Sequence, residues 1–308
     1  MKKYAVVTTF HQAGLDLYAQ NFIDSFDRNM PADVDLYLYT ENCAPKLTHL
    51  SSRKVNVVRI ESELDALMRF KSRYGGDLRA KDIDYIHLYL KRLWFINIRY
   101  LLRKANNQLK RCLRNIKYLY NRKVRGYVKE APLSTSEFPY LWDVIRFCHK
   151  PYVVIDAARR ANADILIWMD ADTVVHSKVS PTFLDGLLCG DVFTCYLGRK
   201  TMHSECGWYS LNLRHPHLDA FIAEFERMYE DAENGVFRLS EWHDSYIFDV
   251  VRLWHEDKYN VINRNLCGDD CDVNHPLLNS DLGQYFAHLK GAMKHHGLAC
   301  HQRENGSL

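Results

Sequence analysis

Five consecutive apolar residues, Ile165-Leu166-Ile167-Trp168-Met169, run straight into Asp170-Ala171-Asp172. A short apolar run of this kind, ended by polar residues, reads as a buried strand. In an open α/β sheet ligands sit outside the carboxyl ends of the strands, so this strand delivers two carboxylates to the ligand-binding edge. Two oxygen donors at that edge suit a hard divalent cation gripping a phosphate-bearing substrate. An acidic triplet alone also describes a solvated turn. What lifts this one is the strand before it and a second element near the C-terminus, His288-Leu289-Lys290-Gly291-Ala292-Met293-Lys294, of the form His-x-x-Gly-x-x-Lys.

The start of the chain agrees with an α/β class. Tyr4–Thr9 reads as a buried strand, and Leu15, Tyr18, Phe22, Ile23 and Phe26 then recur at helical spacing, with Pro31 closing the helix. Val34–Tyr39 and Val55–Ile60 give two more strands, a βαβ opening of the nucleotide-binding kind. Pro151 suits the first turn of a helix running to about Asn162, which leads into the aspartate-bearing strand. Phe193–Leu197 reads as another strand, followed by a loop from His203 to Trp208. Leu218, Phe221, Ile222, Phe225, Met228 and Tyr229 mark an amphipathic helix, and Ser240 suits the cap of a further helix carrying Ile247, Phe248, Val250, Val251 and Leu253.

With 308 residues, 47% hydrophobic and 26% charged, the chain has the means to bury a core, and disorder is not expected. Nine scattered cysteines fit free thiols in a reducing compartment. No apolar stretch approaches membrane-spanning length and Met1-Lys2-Lys3 leads into a strand without a cleavage site, so a cytoplasmic location is expected. Cys267, Cys271, His295, His296, Cys300 and His301 could assemble a structural zinc site, but their spacing matches no strong zinc template and a loop with a polar tail is the expected reading.

The net charge of +3 hides an asymmetry: Asn97 to Lys129 holds eleven Lys or Arg and no Asp or Glu, so that segment carries +11 and the rest of the chain −8. It lies within an expected insertion over residues 75–139 of an otherwise single domain spanning 1–308, opened by Gly75-Gly76 and closed by turn-rich residues including Pro132 and Pro139. Leu101, Leu102, Leu109, Leu113, Ile116 and Leu119 alternate with the basic residues in a helical pattern, an amphipathic arm. Such a block attracts a polyanion or an anionic bilayer.

The Asp-Ala-Asp and His-x-x-Gly-x-x-Lys elements together resemble the nucleotide-sugar-dependent glycosyltransferases of the GT-A fold, in their retaining, glycogenin-like branch. Arg146-Phe147-Cys148-His149-Lys150 and Glu241-Trp242-His243-Asp244-Ser245 are similar to segments of bacterial and phage glycosyltransferases, and the likeness spans residues 1–74 and 140–300. The Pro-Trp that often follows the second motif is His295-His296 here. The resemblance implies a GT-A-like α/β domain with Asp170, Asp172 and His288 holding Mn2+ or Mg2+ on the donor diphosphate. It also implies Gly291 and Lys294 approaching the phosphates and a uridine diphosphate sugar as the favoured donor. Thr8 and Thr9 at the end of the first strand, with Arg146 and Lys150 one helical turn apart, are the further residues expected against the donor. Asp244, at the start of a helix, is expected to hold donor-sugar hydroxyls. Glu205, beside Cys206-Gly207, is expected to orient the acceptor, the glycine permitting close approach. Trp208, Tyr209 and Trp242 either wall sugar rings or belong to the core. Cys206 has no evident paired base and is a poor nucleophile candidate.

The expected function is metal-dependent transfer of a sugar to an acceptor hydroxyl, with retention. Two acceptors suit the basic segment: a surface glycan or glycolipid precursor at an anionic membrane, with the protein peripheral to it, or hydroxymethylated phage DNA held through its phosphates. Nucleotidyl transfer also uses strand-end carboxylates and a metal, but no glycine-rich phosphate loop follows Thr9. A non-catalytic polyanion-binding protein is the remaining alternative.

Overall fold

The computed structural model describes residues 2–48, 50, 54–76, 143–187, 190–199, 203–239, 241–267 and 275–289. The basic segment, Ser240, Gly291, Lys294 and the His295-to-His301 tail lie outside these residues, as does Cys271.

A seven-stranded sheet in the order β3-β2-β1-β4-β7-β6-β8 forms the centre. Its strands are β1 (Tyr4–His11), β2 (Asp35–Glu41), β3 (Val55–Arg59), β4 (Ile165–Met169), β6 (Val192–Leu197), β7 (Glu205–Asn212) and β8 (Ile262–Asn265). β1, β2, β3 and β4 run parallel, β7 runs against β4 and β6, and β8 is parallel to β6. A separate antiparallel pair joins β5 (Thr173–Val175) to β9 (Phe286–His288). The principal helices are α1 (Gln20–Asn29), entered through a π-helical turn at Leu15–Ala19, α2 (Asp65–Tyr74), α3 (His149–Arg160), α4 (Pro181–Leu187), α5 (Leu218–Glu230) and α6 (Asp244–Tyr259).

The central strands are buried on both faces, and their alternation sorts side chains into two cores. Tyr4 and Val6 of β1 with Ile165, Ile167 and Met169 of β4 join Phe22, Ile23 and Phe26 of α1. Ala5 and Val7 with Leu166 and Trp168 face the other way, onto Phe70 of α2, Val153 and Val154 of α3, Phe221 and Phe225 of α5 and Phe248 of α6. This is a mixed α/β architecture with helices on both sides of a mainly parallel sheet, as the βαβ opening implies.

Two local expectations change. Residues 205–208 lie in β7, a central strand, instead of a loop, and Trp208, Tyr209 and Trp242 are each no more than 1% exposed, in the core and not on a sugar-facing wall. The final long helix begins at Asp244, with extended His243 as its N-cap residue, three residues beyond Ser240, the residue expected to cap it. Among the described residues, no helix is long and apolar enough to cross a membrane.

Candidate active site

The strand order reverses direction at β1, with β2 on one side and β4 on the other. Such a switch point opens a crevice at the carboxyl ends of the strands. A cleft lies there, lined by Thr9 near the end of β1, Asp170, Ala171 and Asp172 after β4, Arg146 and Phe147 just before α3, His149 and Lys150 at its start, and Asp244.

The register of the small sheet brings the C-terminal motif to the aspartates. Thr173 pairs with His288, and Leu289 N–H donates to the Asp172 carbonyl at 2.9 Å. In antiparallel pairing a slip of one residue would turn His288 to the opposite face. In the observed register His288 Nε2 is 2.7 Å from Asp172 Oδ1 and 3.8 Å from Asp170 Oδ2. These three side chains offer ligand atoms within 4.8 Å of one another. Gly207 of β7 makes room for the imidazole: a Cβ there would lie 3.0 Å from His288 Cε1, tighter than side chains normally pack.

Asp170 divides its two oxygens. Oδ1 accepts from Trp168 Nε1 at 2.8 Å and pairs with Lys150 Nζ at 2.9 Å, which leaves Oδ2 on the His288 side. Two carboxylate oxygens and one imidazole nitrogen form a donor set suited to manganese or magnesium.

Lys150 has partners other than the expected phosphates. Its ammonium group lies 2.9 Å from Asp170 Oδ1 and 2.5 Å from Asp244 Oδ2, and it donates to the Cys206 carbonyl at 2.7 Å. Those three contacts match its three hydrogens. Burial works against the charge, but the two carboxylates prevail and hold the lysine pKa well above its ordinary value. The same pairing acts on Asp244: burial raises its pKa, and Lys150 and His243 outweigh this and lower it. Asp244 is therefore an ionised carboxylate on the cleft wall.

The other expected residues separate. Arg146 is exposed at the cleft and makes no ion pair among the described residues; Asp143 accepts from its backbone N–H at 3.0 Å as a helix cap. Thr9 lines the cleft, and its hydroxyl donates to the Tyr39 carbonyl at 3.0 Å. Thr8 is fully buried, because successive strand residues point to opposite faces, and it does not reach the cleft. Glu205, expected to orient the acceptor, is buried against Arg199 with His275 Nε2 3.6 Å away, and is not among the residues lining the cleft. Burial pushes the Cys206 thiol well above its usual range, aided by the nearby Asp244 charge, which removes its thiolate as a nucleophile.

Three residues that contact His149 or Glu205 belong to no motif in the sequence: Glu41, Lys71 and His275. Glu41 ends β2 at the same sheet edge as Asp170, the one signal that pointed to it. It is bonded to Lys71 and, at 3.0 Å, to Nε2 of the cleft residue His149. The His149 hydrogen bond, and then that of Lys71, overcome the effect of burial and hold its carboxyl at about 2 instead of 4.5. A carboxylate with a depressed folded-state pKa adds stability above its unfolded value and loses it as pH falls through the folded one. The stability advantage of the wild type over Glu41→Gln is thus expected to shrink between about pH 4.5 and about pH 2. Urea unfolding at stepped pH checks this, and an advantage independent of pH across that window contradicts it.

No family model and no curated protein sequence matches this chain. Among solved structures its fold is similar to that of mouse xyloside xylosyltransferase 1 in apo form, with a TM-score of 0.43 and 9% identity over 87% of this chain and 85% of that one. It is similar also to the glycosyltransferase GlyE of Streptococcus pneumoniae, at 0.38 and 13% over 81% of this chain and 43% of that one. An active-site mutant of LgtC gives 0.35 and 10% over 80% and 69%. These likenesses are ones of fold.

Proposed function

We propose that this chain is a metal-dependent glycosyltransferase that takes its sugar from a nucleotide diphosphate donor held in the cleft between β1 and β4. The observation that carries this is the convergence of Asp170, Asp172 and His288 at a sheet edge where phosphate ligands bind. A divalent cation at these residues supplies positive charge to the diphosphate as it becomes the leaving group. Arg146, exposed and without an ionic partner among the described residues, is suited to a phosphate oxygen at the same cleft. Gly291 and Lys294, outside the described residues, are assigned to the phosphates by their motif. Asp244 faces the cleft as a carboxylate fixed by Lys150, suited to accepting hydrogen bonds from donor-sugar hydroxyls. A uridine diphosphate sugar and retention of configuration belong to this proposal through the motif resemblance.

The acceptor is assigned to a surface glycan or glycolipid precursor, reached by a protein peripheral to the cytoplasmic leaflet through the +11 segment. That density of charge also favours hydroxymethylated DNA as the second choice, and salt separates the two. Duplex DNA binding weakens with a log–log slope of about −0.9 per phosphate contacted, whereas vesicle binding keeps an apolar component at high salt.

A panel of nucleotide sugars scored for hydrolysis, with manganese, magnesium or chelator, tests the central claim. Hydrolysis of at least one donor that needs the metal is expected, and full activity in chelator overturns the assignment. Arg146→Ala is expected to weaken donor binding by about 1.5–3 kcal/mol, the range for a charge-assisted hydrogen bond, with the fold intact. Calorimetric titration with the donor measures it, and unchanged affinity removes Arg146 from the phosphate site.

A further inference from the structure

A second cluster of metal-ligand type lies apart from the aspartates. His203 precedes β7, and Glu241 and His243 lead into α6. Nε2 of His203 and Nε2 of His243 each sit 3.1 Å from the same oxygen, Glu241 Oε2. The three side chains offer ligand atoms within 4.8 Å of one another. A third grouping, Glu205-His275-His288, shares His288 with the aspartate site.

From this geometry we propose that His203, Glu241 and His243 bind a divalent cation of the zinc class, at a site separate from Asp170, Asp172 and His288. Zinc holds nitrogen and carboxylate ligands tetrahedrally at about 2.0–2.1 Å, which sets neighbouring ligand atoms about 3.3–3.4 Å apart. The two 3.1 Å separations are within a few tenths of an ångström of that edge, so small shifts admit the ion. Two imidazoles and one carboxylate select zinc over magnesium or manganese, which prefer oxygen ligands. Burial suits an ion of this kind: the side chains of Glu241 and His243 are 7% and 9% exposed, and His203, at 24%, leaves a way in. A buried carboxylate needs compensation, which a cation supplies more strongly than two N–H groups. With three protein ligands, the fourth position of a bound ion would be left to water.

The cation fastens the segment before β7 to the start of α6. Asp244 follows His243 directly, and His243 Nδ1 lies 4.0 Å from Asp244 Oδ1. The site therefore fixes the residue that anchors Lys150 in the cleft. Its bearing on catalysis rests on the glycosyl-transfer proposal, whereas the site itself does not.

The test uses the full chain carrying Asp172→Asn, which disables the first metal site, compared with the same chain also carrying His203→Ala. His203 is the partly exposed ligand, so its loss spares the core, and circular dichroism of the metal-free proteins verifies folding. Zinc is titrated against a chromophoric chelator, and cobalt is added separately to report a tetrahedral site through its visible bands. The Asp172→Asn chain is expected to hold one zinc equivalent. Adding His203→Ala should weaken it by more than about a hundredfold, beyond the 10–100-fold that changes around a metal's ligands produce, with loss of the cobalt bands. Equal zinc affinity in the two chains, or no zinc held by Asp172→Asn, overturns the proposal and leaves hydrogen bonds from two histidines to Glu241. Metal binding is the readout, so the result is independent of sugar transfer.

Discussion

Asp172→Asn is expected to lower turnover by roughly a hundredfold or more, because the contribution assigned to the site is electrostatic and the substitution removes one charge from it. Asparagine keeps the size of the side chain, and its carbonyl oxygen can still accept from His288, which is 2.7 Å from Asp172 Oδ1. The β5–β9 pairing should persist, so the loss should fall on cation affinity and turnover, not on folding. Steady-state rates at saturating manganese, with a manganese titration of the same variant, check this. A variant that turns over at the wild-type rate removes Asp172 from the metal site.

Lys150→Met is expected to show the largest effect on stability. It takes away the cation between Asp170 and Asp244 and leaves two carboxylates facing each other, with Lys150 and Asp244 only 13% and 12% exposed at their side chains. Breaking a buried ion pair by removing one member costs about 3–5 kcal/mol, a fall in melting temperature on the order of 10 °C for a domain of this size. Adding Asp244→Asn to the same chain should restore part of the loss, since one stranded charge goes with it. Thermal unfolding of the single and double variants measures the coupling, and a Lys150→Met protein that melts with the wild type denies the bridge.

The parts of the fold set by local pattern were legible in the sequence. The apolar run Ile165–Met169 is β4 to the residue, and the helical spacing of Leu218 to Tyr229 lies within α5. β7 was hidden because Glu205, Cys206 and Gly207 are poor strand formers in isolation. Their position between β4 and β6 overrides that preference. The partners of Lys150 were hidden for a related reason. Its spacing from Arg146 describes a helix face, but Asp244, Asp170 and the Cys206 carbonyl arrive from distant segments. The histidine motif identified His288 as a ligand candidate, and only the register of β9 on β5 specifies which oxygen it meets. Glu241 and His243 carry part of the resemblance in the sequence, but only the fold brings His203 to the same Glu241 oxygen.

That register also has a consequence for how the protein is made. Asp172 and His288 are 116 residues apart. At bacterial-to-eukaryotic synthesis rates of about 5–20 residues per second, the imidazole leaves the ribosome on the order of ten seconds after the carboxylate. Parallel pairing of β1 through β4 can begin in that interval, while Asp172 lacks its partner. Four strands of the sheet are thus synthesised well before β9, whose pairing with β5 is the step that completes the proposed metal site.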